Sequence, residues 1–338
     1  MILGCDSRTD GLSIIGTYRG GTVINSASYD CVIVGAGPAG LNAALILGRC
    51  RRRILLCDND RPRNGPTQTM HGFLTRDGVS PQEFRRVGRE QLCRYDTVEF
   101  TQTTVSDACI RADGFELTLD SQRKVVGRKL LLATGVSDRL PDLDGIREFY
   151  GRSVFHCPYC DGWEFRDQPL AVYGNGKSGV GLSMTVSIWT KDLVLCTDGP
   201  AEISQHDATR LEARGVVVRS DRIVRLEGQA GMLERIVFAQ GQPLARTAMF
   251  VHTDQQQQCD LALRLGYNVH EKRASETLHD DGTNVPGLYV AGDTSRDVQF
   301  AIMAAAEGAR AAFEINKVLL AEELHHAVQH GRRRGGGD

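Results

Sequence analysis

Tyr29-Asp-Cys-Val-Ile-Val34 runs directly into Gly35-Ala-Gly37-Pro-Ala-Gly40, and this stretch decides the fold. Its first half is short, apolar and rich in β-branched residues, as a parallel strand buried on both faces should be. An Ala/Leu-rich helix follows at Leu41 to Leu47, and a second strand, Ile54-Leu-Leu-Cys57, ends at Asp58. A lone glycine motif is a weak signal. Strand, glycines, helix, strand and terminal acid together form a dinucleotide-binding fingerprint. The glycines permit a tight turn and close approach of the backbone to a pyrophosphate, the helix N-terminus faces that group, and the acid accepts ribose hydroxyls. Gly35, Gly37, Pro38, Ala39, Gly40 and Asp58 are therefore candidate cofactor-binding residues.

Working outward, Lys129-Leu-Leu-Leu-Ala-Thr134-Gly135 reads as an apolar strand ending in a small turn. Gly287-Leu-Tyr-Val-Ala-Gly292-Asp293 repeats the pattern with an acid, ahead of an Ala-rich helix at Gln299 to Ile315. Between them Leu170-Ala-Val-Tyr-Gly174-Asn-Gly176-Lys-Ser-Gly179 is a second strand, turn and helix start. The expected class is α/β, with two Rossmann-like dinucleotide-binding domains, the second inserted into the first. The first comprises residues 29–136 and 252–320 and the second 137–251, with an N-terminal extension at 1–28 and a C-terminal tail at 321–338. The Gly- and Arg-rich end, Gly331 to Asp338, is expected to lack order.

The inserted segment carries Cys157-Pro-Tyr-Cys160-Asp161. Two thiols at this spacing form either a redox disulfide or half of a zinc site. No second ligand pair is visible, and His156 alone does not complete a tetrahedron, so no metal is expected. The other cysteines are scattered among the ten in the chain; Cys31 and Cys57, within apolar runs, read as buried thiols.

Composition bounds the remaining possibilities. With 338 residues, about two domains are expected. A net charge of -2 gives no reason for a nucleic-acid or acidic-membrane partner. No apolar run approaches the ~20 residues of a membrane span, and Met1 to Ser28 does not read as a secretion signal. The expected location is cytoplasmic.

These motifs, in this order, resemble the low-molecular-weight thioredoxin reductases over about residues 29 to 320. The glutathione-reductase branch fits less well, because no CxxxxC pair lies between Asp58 and Leu92. The resemblance implies FAD on the first fold, with Thr134 and Gly135 beside it, Gly292 and Asp293 at the ribityl chain, and Gln299 near the flavin ring. It further implies that Cys160 faces the flavin, that Cys157 attacks an external disulfide, and that Asp161 is the proton partner. The plain alternative for Asp161 is a turn residue before Gly162. His156, Tyr159 and Trp163 could pack on the flavin or guide a partner, and simple packing is the commoner use of each. A thioredoxin-like protein substrate and a homodimer complete the family expectation.

One part of the pattern is missing. NADPH-using members follow the second glycine motif with a strand ending in arginines that grip the 2′-phosphate. Here Leu193-Val-Leu-Cys196 leads into Thr197-Asp198-Gly199-Pro200, and no arginine or lysine lies between Lys191 and Arg210. Asp198 would repel a 2′-phosphate and suits a free ribose hydroxyl or no nucleotide; Lys177 stands where the family usually has an acid. The leading expectation is therefore a donor other than NADPH, such as ferredoxin or another reduced flavin. The alternatives are NAD(P)H held through Arg210 and Arg214, a small-molecule dithiol oxidase passing electrons to oxygen, and a flavin-binding sensor without turnover. Dithiol oxidases of this kind usually carry histidine where this chain has Asp161. His325, His326 and His330, near the C-terminus, either cover the partner subunit's flavin or form a solvated helix end.

Overall fold

The computed structural model describes residues 28–267, 283–294 and 298–334. The expectations for residues 1–27 and for 335–338 lie outside that range. In chain order the first part contains β1 (Ser28–Val34), α1 (Pro38–Arg49), β2 (Ile54–Asp58), α2 (Pro81–Leu92), β3 (Val98–Gln102), β4 (Val105–Arg111), β5 (Gly114–Leu119) and β6 (Lys124–Leu132). β7 (Val136–Arg139) leads to α3 (Ile146–Phe149), β8 (Val154–Phe155), α4 (Pro158–Asp161), β9 (Leu170–Tyr173), α5 (Gly176–Val186), β10 (Leu193–Cys196), α6 (Gln205–Ala213) and β11 (Val217–Arg219). Then come β12 (Ile223–Gln229), β13 (Met232–Phe238), β14 (Leu244–Ala245), β15 (Ala248–Val251), β16 (Asp254–Gln257), α7 (Leu261–Arg264), β17 (Leu288–Val290) and a long helix, α8 (Ala301–Arg334).

The first sheet runs β3-β2-β1-β6-β5-β4. β1, β2, β3, β6 and β17 are parallel, while β4 and β5 form an antiparallel meander on β6. β6 is shared along its length: β5 takes Lys124 to Gly127, and β17 takes Leu130 to Leu132. Successive side chains of β1 alternate between two cores, because a strand points neighbouring residues to opposite faces. Val32 and Val34 face the meander side, and Cys31 and Ile33 pack under α1 and α8. Both faces are covered, which is why the segment reads as an unbroken apolar run.

The second sheet, β11-β10-β9-β15-β8, is wholly parallel, with a small antiparallel sheet β12-β13-β14 beside it. The chain is thus an α/β protein built on two separate, mainly parallel sheets. β7 and β16, paired antiparallel from Val136↔Gln257 to Arg139↔Asp254, carry the chain out of the first sheet and back.

The C-terminus corrects one expectation. Residues 301–334 form one continuous helix, so the predicted disorder from Gly331 onward does not hold through Arg334. The cause lies in charge pairing upstream. Glu322 binds Arg128 at 2.9 Å and also Lys129, and Glu323 binds Arg52 at 2.5 Å, tying the helix to the edge of the first sheet.

Candidate active site

β1 delivers the glycine turn to the end of the sheet, where the Gly35 N–H donates to the Cys57 carbonyl at 2.7 Å. Gly35 has φ +104°, and a Cβ there would stand 2.3 Å from the Ala133 carbonyl oxygen. A Cβ on Gly40 would come within 1.8 Å of the Gly35 oxygen. These two glycines close the turn on itself. Gly37 differs: it precedes α1 as an N-cap without a side-chain cap, and a Cβ there would meet nothing within 4 Å. Its empty side opens into the cleft, above the unsatisfied amides of the helix start.

Asp58, at the end of β2, accepts the Ala36 N–H on Oδ1 at 2.9 Å and Arg85 Nη2 on Oδ2 at 2.6 Å. Arg85 also reaches Asp60 at 2.6 Å, and its Nε is buried without a hydrogen-bond partner. A bare helix start, a glycine whose missing side chain leaves room, and an acid beside an under-satisfied guanidinium suit the pyrophosphate and ribose of FAD.

The cleft continues past Thr134 and Gly135 to Gly292, Asp293 and Gln299, and ends at Cys157, Cys160 and Asp161. Every candidate catalytic or FAD-binding residue lines it except Gly40, which is buried behind the turn, whereas Tyr159 and Trp163 do not line it. Gly292 adopts φ +86° and donates its N–H to Glu307 Oε2 at 2.9 Å. Burial pushes the Asp293 carboxyl up, although Arg63 Nη1 lies 3.0 Å from its Oδ2.

Arg63 had no sequence signal. It lies in the segment between β2 and α2 and grips Asp138 of β7 with Nε at 2.8 Å and Nη2 at 2.7 Å. Its Nη1 also donates to Gln299 Oε1 at 2.5 Å. Asp138 accepts further bonds from Thr253 Oγ1 at 2.9 Å and Tyr150 Oη at 3.2 Å, and Tyr150 in turn lies 2.8 Å from His156 Nδ1. No periodicity could reveal this group, because its members come from separate segments. Only the fold brings them together.

Cys157 and Cys160 are joined in a disulfide, with Cα atoms 5.3 Å apart across the short α4. Burial, with Glu164 adding to it, pushes the Asp161 carboxyl up to about 7. A carboxylic acid that still holds its proton near neutrality is suited to proton transfer. Tyr159 and Trp163 are largely exposed beside the disulfide; Tyr159 makes edge contacts with Trp189 and Phe300, and Arg166 lies over the Trp163 ring at 4.1 Å. Among the described residues no group of three or more His, Cys, Asp or Glu could hold a metal ion.

The second glycine turn is occupied by its own chain. Asn175 caps α5, accepting the N–H groups of Gly176 at 2.8 Å and Glu202 at 2.9 Å and donating to the Pro200 carbonyl at 2.9 Å. Asp198 sits at φ +54° with its carboxylate taken by the Ile223 N–H at 2.6 Å and Tyr173 Oη at 3.2 Å. Arg210 pairs with Asp207 on its own helix, and Lys177 is exposed. His325 and His326 lie on exposed turns of α8.

Comparison with known proteins agrees with this geometry. The family model described as pyridine nucleotide-disulphide oxidoreductase matches residues 29–308. A thioredoxin reductase of Aspergillus oryzae, aclD, is 31% identical over 316 residues, covering 87% of this chain and 98% of the relative. A putative thioredoxin reductase, TrxB, from Bacillus anthracis superposes with a TM-score of 0.83 at 35% identity, over 87% of this chain and 99% of that one. The crystal structure of HlmI gives a TM-score of 0.85 at 33% identity, over 94% and 99%. With cofactor cradle, disulfide and relatives in agreement, the chain belongs to the pyridine nucleotide-disulphide oxidoreductase family, as a thioredoxin-reductase-like FAD enzyme acting on sulfur groups.

Proposed function

We propose that this enzyme reduces the disulfide of a thioredoxin-like protein through Cys157 and Cys160, with electrons from a donor other than NADPH, such as reduced ferredoxin or another reduced flavin. The observation that carries the reading is one continuous cleft, lined at one end by the FAD fingerprint and at the other by the Cys157–Cys160 disulfide. FAD, when bound, supplies the two electrons that open this disulfide. Thr134, Gly135, Gly292, Asp293 and Gln299 orient the cofactor from the cleft wall, and Asp161 holds the proton exchanged with the inner sulfur of Cys160. Cys157 is then the sulfur that meets the partner, with Tyr159 and Trp163 exposed around it.

The donor assignment rests on the second glycine turn. Asn175 ties the Pro200–Glu202 segment to the start of α5, where a dinucleotide pyrophosphate would bind, and no arginine or lysine follows β10 in sequence before Arg210. A homodimer is supported by α8, whose exposed Phe313, Leu320, Leu324 and Val328 fall on one stripe at helical spacing. No helix among the described residues is long and apolar enough to cross a membrane. Thiols exposed at Cys50, Cys93 and Cys109 agree with a cytoplasmic enzyme, since a reducing compartment keeps such thiols reduced.

Anaerobic titration of the purified flavoprotein tests the donor. Bleaching of the flavin by reduced ferredoxin, with no bleaching by stoichiometric NADPH, is the expected result. Rapid bleaching by NADPH overturns the donor assignment and restores a conventional NADPH-dependent reductase. A Cys160→Ser variant should keep its FAD absorbance yet fail to reduce any thioredoxin. Undiminished turnover would remove the disulfide from the mechanism.

A further inference from the structure

His156 directly precedes Cys157 and lines the same cleft. Its Nδ1 lies 2.8 Å from Tyr150 Oη, and Tyr150 Oη lies 3.2 Å from Asp138 Oδ2. The direction of these bonds follows from the far end. Arg63 binds both oxygens of Asp138, and this contact holds the carboxyl below its ordinary range against the opposing effect of burial. An ionised carboxylate only accepts, so the Tyr150 hydroxyl must donate to it. The tyrosine oxygen is then left to accept from His156 Nδ1–H. That fixes the tautomer: the lone pair of His156 resides on Nε2.

We infer that His156, oriented by Tyr150, Asp138 and Arg63, is the proton acceptor for the Cys157 thiol when the enzyme attacks its partner disulfide. The inference rests on the proposal above that Cys157 is the outward sulfur. In the reduced enzyme the Cys157 proton passes to His156 Nε2, and the thiolate attacks one sulfur of the partner. The partner's other sulfur departs and takes the proton back from the imidazolium. The Cys160 thiolate then attacks Cys157 Sγ, re-forming the internal disulfide, and the second partner sulfur leaves with the proton lost by Cys160. The partner gains two electrons and the cysteine pair loses two.

The surroundings suit a base rather than a fixed charge. Burial pushes the His156 imidazole down, with Arg63 adding to that effect and Asp138 opposing it. Burial pushes the Tyr150 hydroxyl well up, and the negative charges of Asp138 and Asp161 add to the effect, so Tyr150 keeps its proton. The enzyme then has separate proton partners for its two sulfurs, His156 beside Cys157 and Asp161 beside Cys160.

The test uses full-length, FAD-loaded protein carrying Cys160→Ser, so that Cys157 remains a thiol, and needs neither donor nor partner. Iodoacetamide modification of the Cys157 peptide is followed by mass spectrometry across pH. The expected midpoint lies at least about one unit below the ordinary thiol value of about 8.5. Adding His156→Gln should raise the midpoint and slow modification at pH 7 about tenfold, since the thiolate fraction falls tenfold per unit. Tyr150→Phe should shift it in the same direction by less. Profiles in both variants that match the parent, with flavin absorbance retained, would overturn the inference. If His156→Gln loses its flavin, Tyr150→Phe decides alone. Failure of the donor or thioredoxin assignment would leave this pH profile unchanged, so the two readings are separable.

Discussion

Arg63 and Asp138 meet through two parallel hydrogen bonds, 2.8 and 2.7 Å long, with side chains only 11% and 4% exposed. The pair joins the segment after β2 to the strand leading into the inserted domain. Breaking a buried pair by removing one partner leaves an uncompensated charge, which costs about 3–5 kcal/mol. Arg63→Ala should therefore lower the urea midpoint markedly, and Arg63→Ala with Asp138→Asn should recover part of the loss. A double variant as unstable as the single one would show that Arg63 acts through packing instead.

Asp161 predicts a pH dependence with a definite sign. Its folded-state value of about 7 lies above its unfolded value, so the folded protein binds this proton more tightly. The stabilisation is complete below about pH 4 and is lost as pH rises to about 7, an effect on the order of 1–4 kcal/mol. Asp161→Asn should flatten that slope in denaturation measured from pH 4.5 to 8. In turnover the same variant should lose roughly 10²-fold, with loss of the fall in rate that the parent shows as pH rises above about 7. An unchanged pH–rate profile would return Asp161 to the role of a turn residue.

Two glycines of the fingerprint should respond differently to alanine. Gly40→Ala forces a methyl to within 1.8 Å of a backbone oxygen and should destabilise the whole first domain. Gly37→Ala meets no protein atom, so melting of the flavin-free protein should be nearly unchanged while flavin content falls. Absorbance at the flavin band and thermal melting separate the two outcomes. Equal flavin retention by Gly37→Ala and the parent would count against a close pyrophosphate at this turn.

Asn175→Ala should cost about 0.5–2 kcal/mol, the usual loss of an N-cap, and should free the Pro200–Glu202 segment from the helix start. NADPH should still fail to bleach the flavin, because Asp198 and the absence of arginine remain. If NADPH bleaches the variant but not the parent, the Asn175 plug alone excludes the nucleotide.

The class of the fold was legible because β1 and the turn after it combine several independent signals: buried strand, glycines, helix and terminal acid. The redox pair was equally visible, since both cysteines and Asp161 are contiguous. What stayed hidden is the work of side chains joined across the fold. Arg63, Asp138 and Tyr150 lie on three separate segments, and nothing in their local sequence distinguishes them from ordinary surface residues. His156 was noticed but read as packing, because its value depends on Tyr150 being within 2.8 Å. The continuation of α8 from Gly331 to Arg334 was not legible either, because Glu322 and Glu323 upstream anchor the helix through Arg128, Lys129 and Arg52, far away in sequence.

The pairing of β7 with β16 means that the inserted unit enters and leaves through one narrow doorway, from Val136↔Gln257 to Arg139↔Asp254. Such an insertion can be treated as a cassette. Its two ends are already neighbours, so the segment between them could be exchanged for the equivalent part of a relative without lengthening either connection. A chimaera carrying the cassette of a relative on this first domain would need only two splice points, one at each end of the β7–β16 pair.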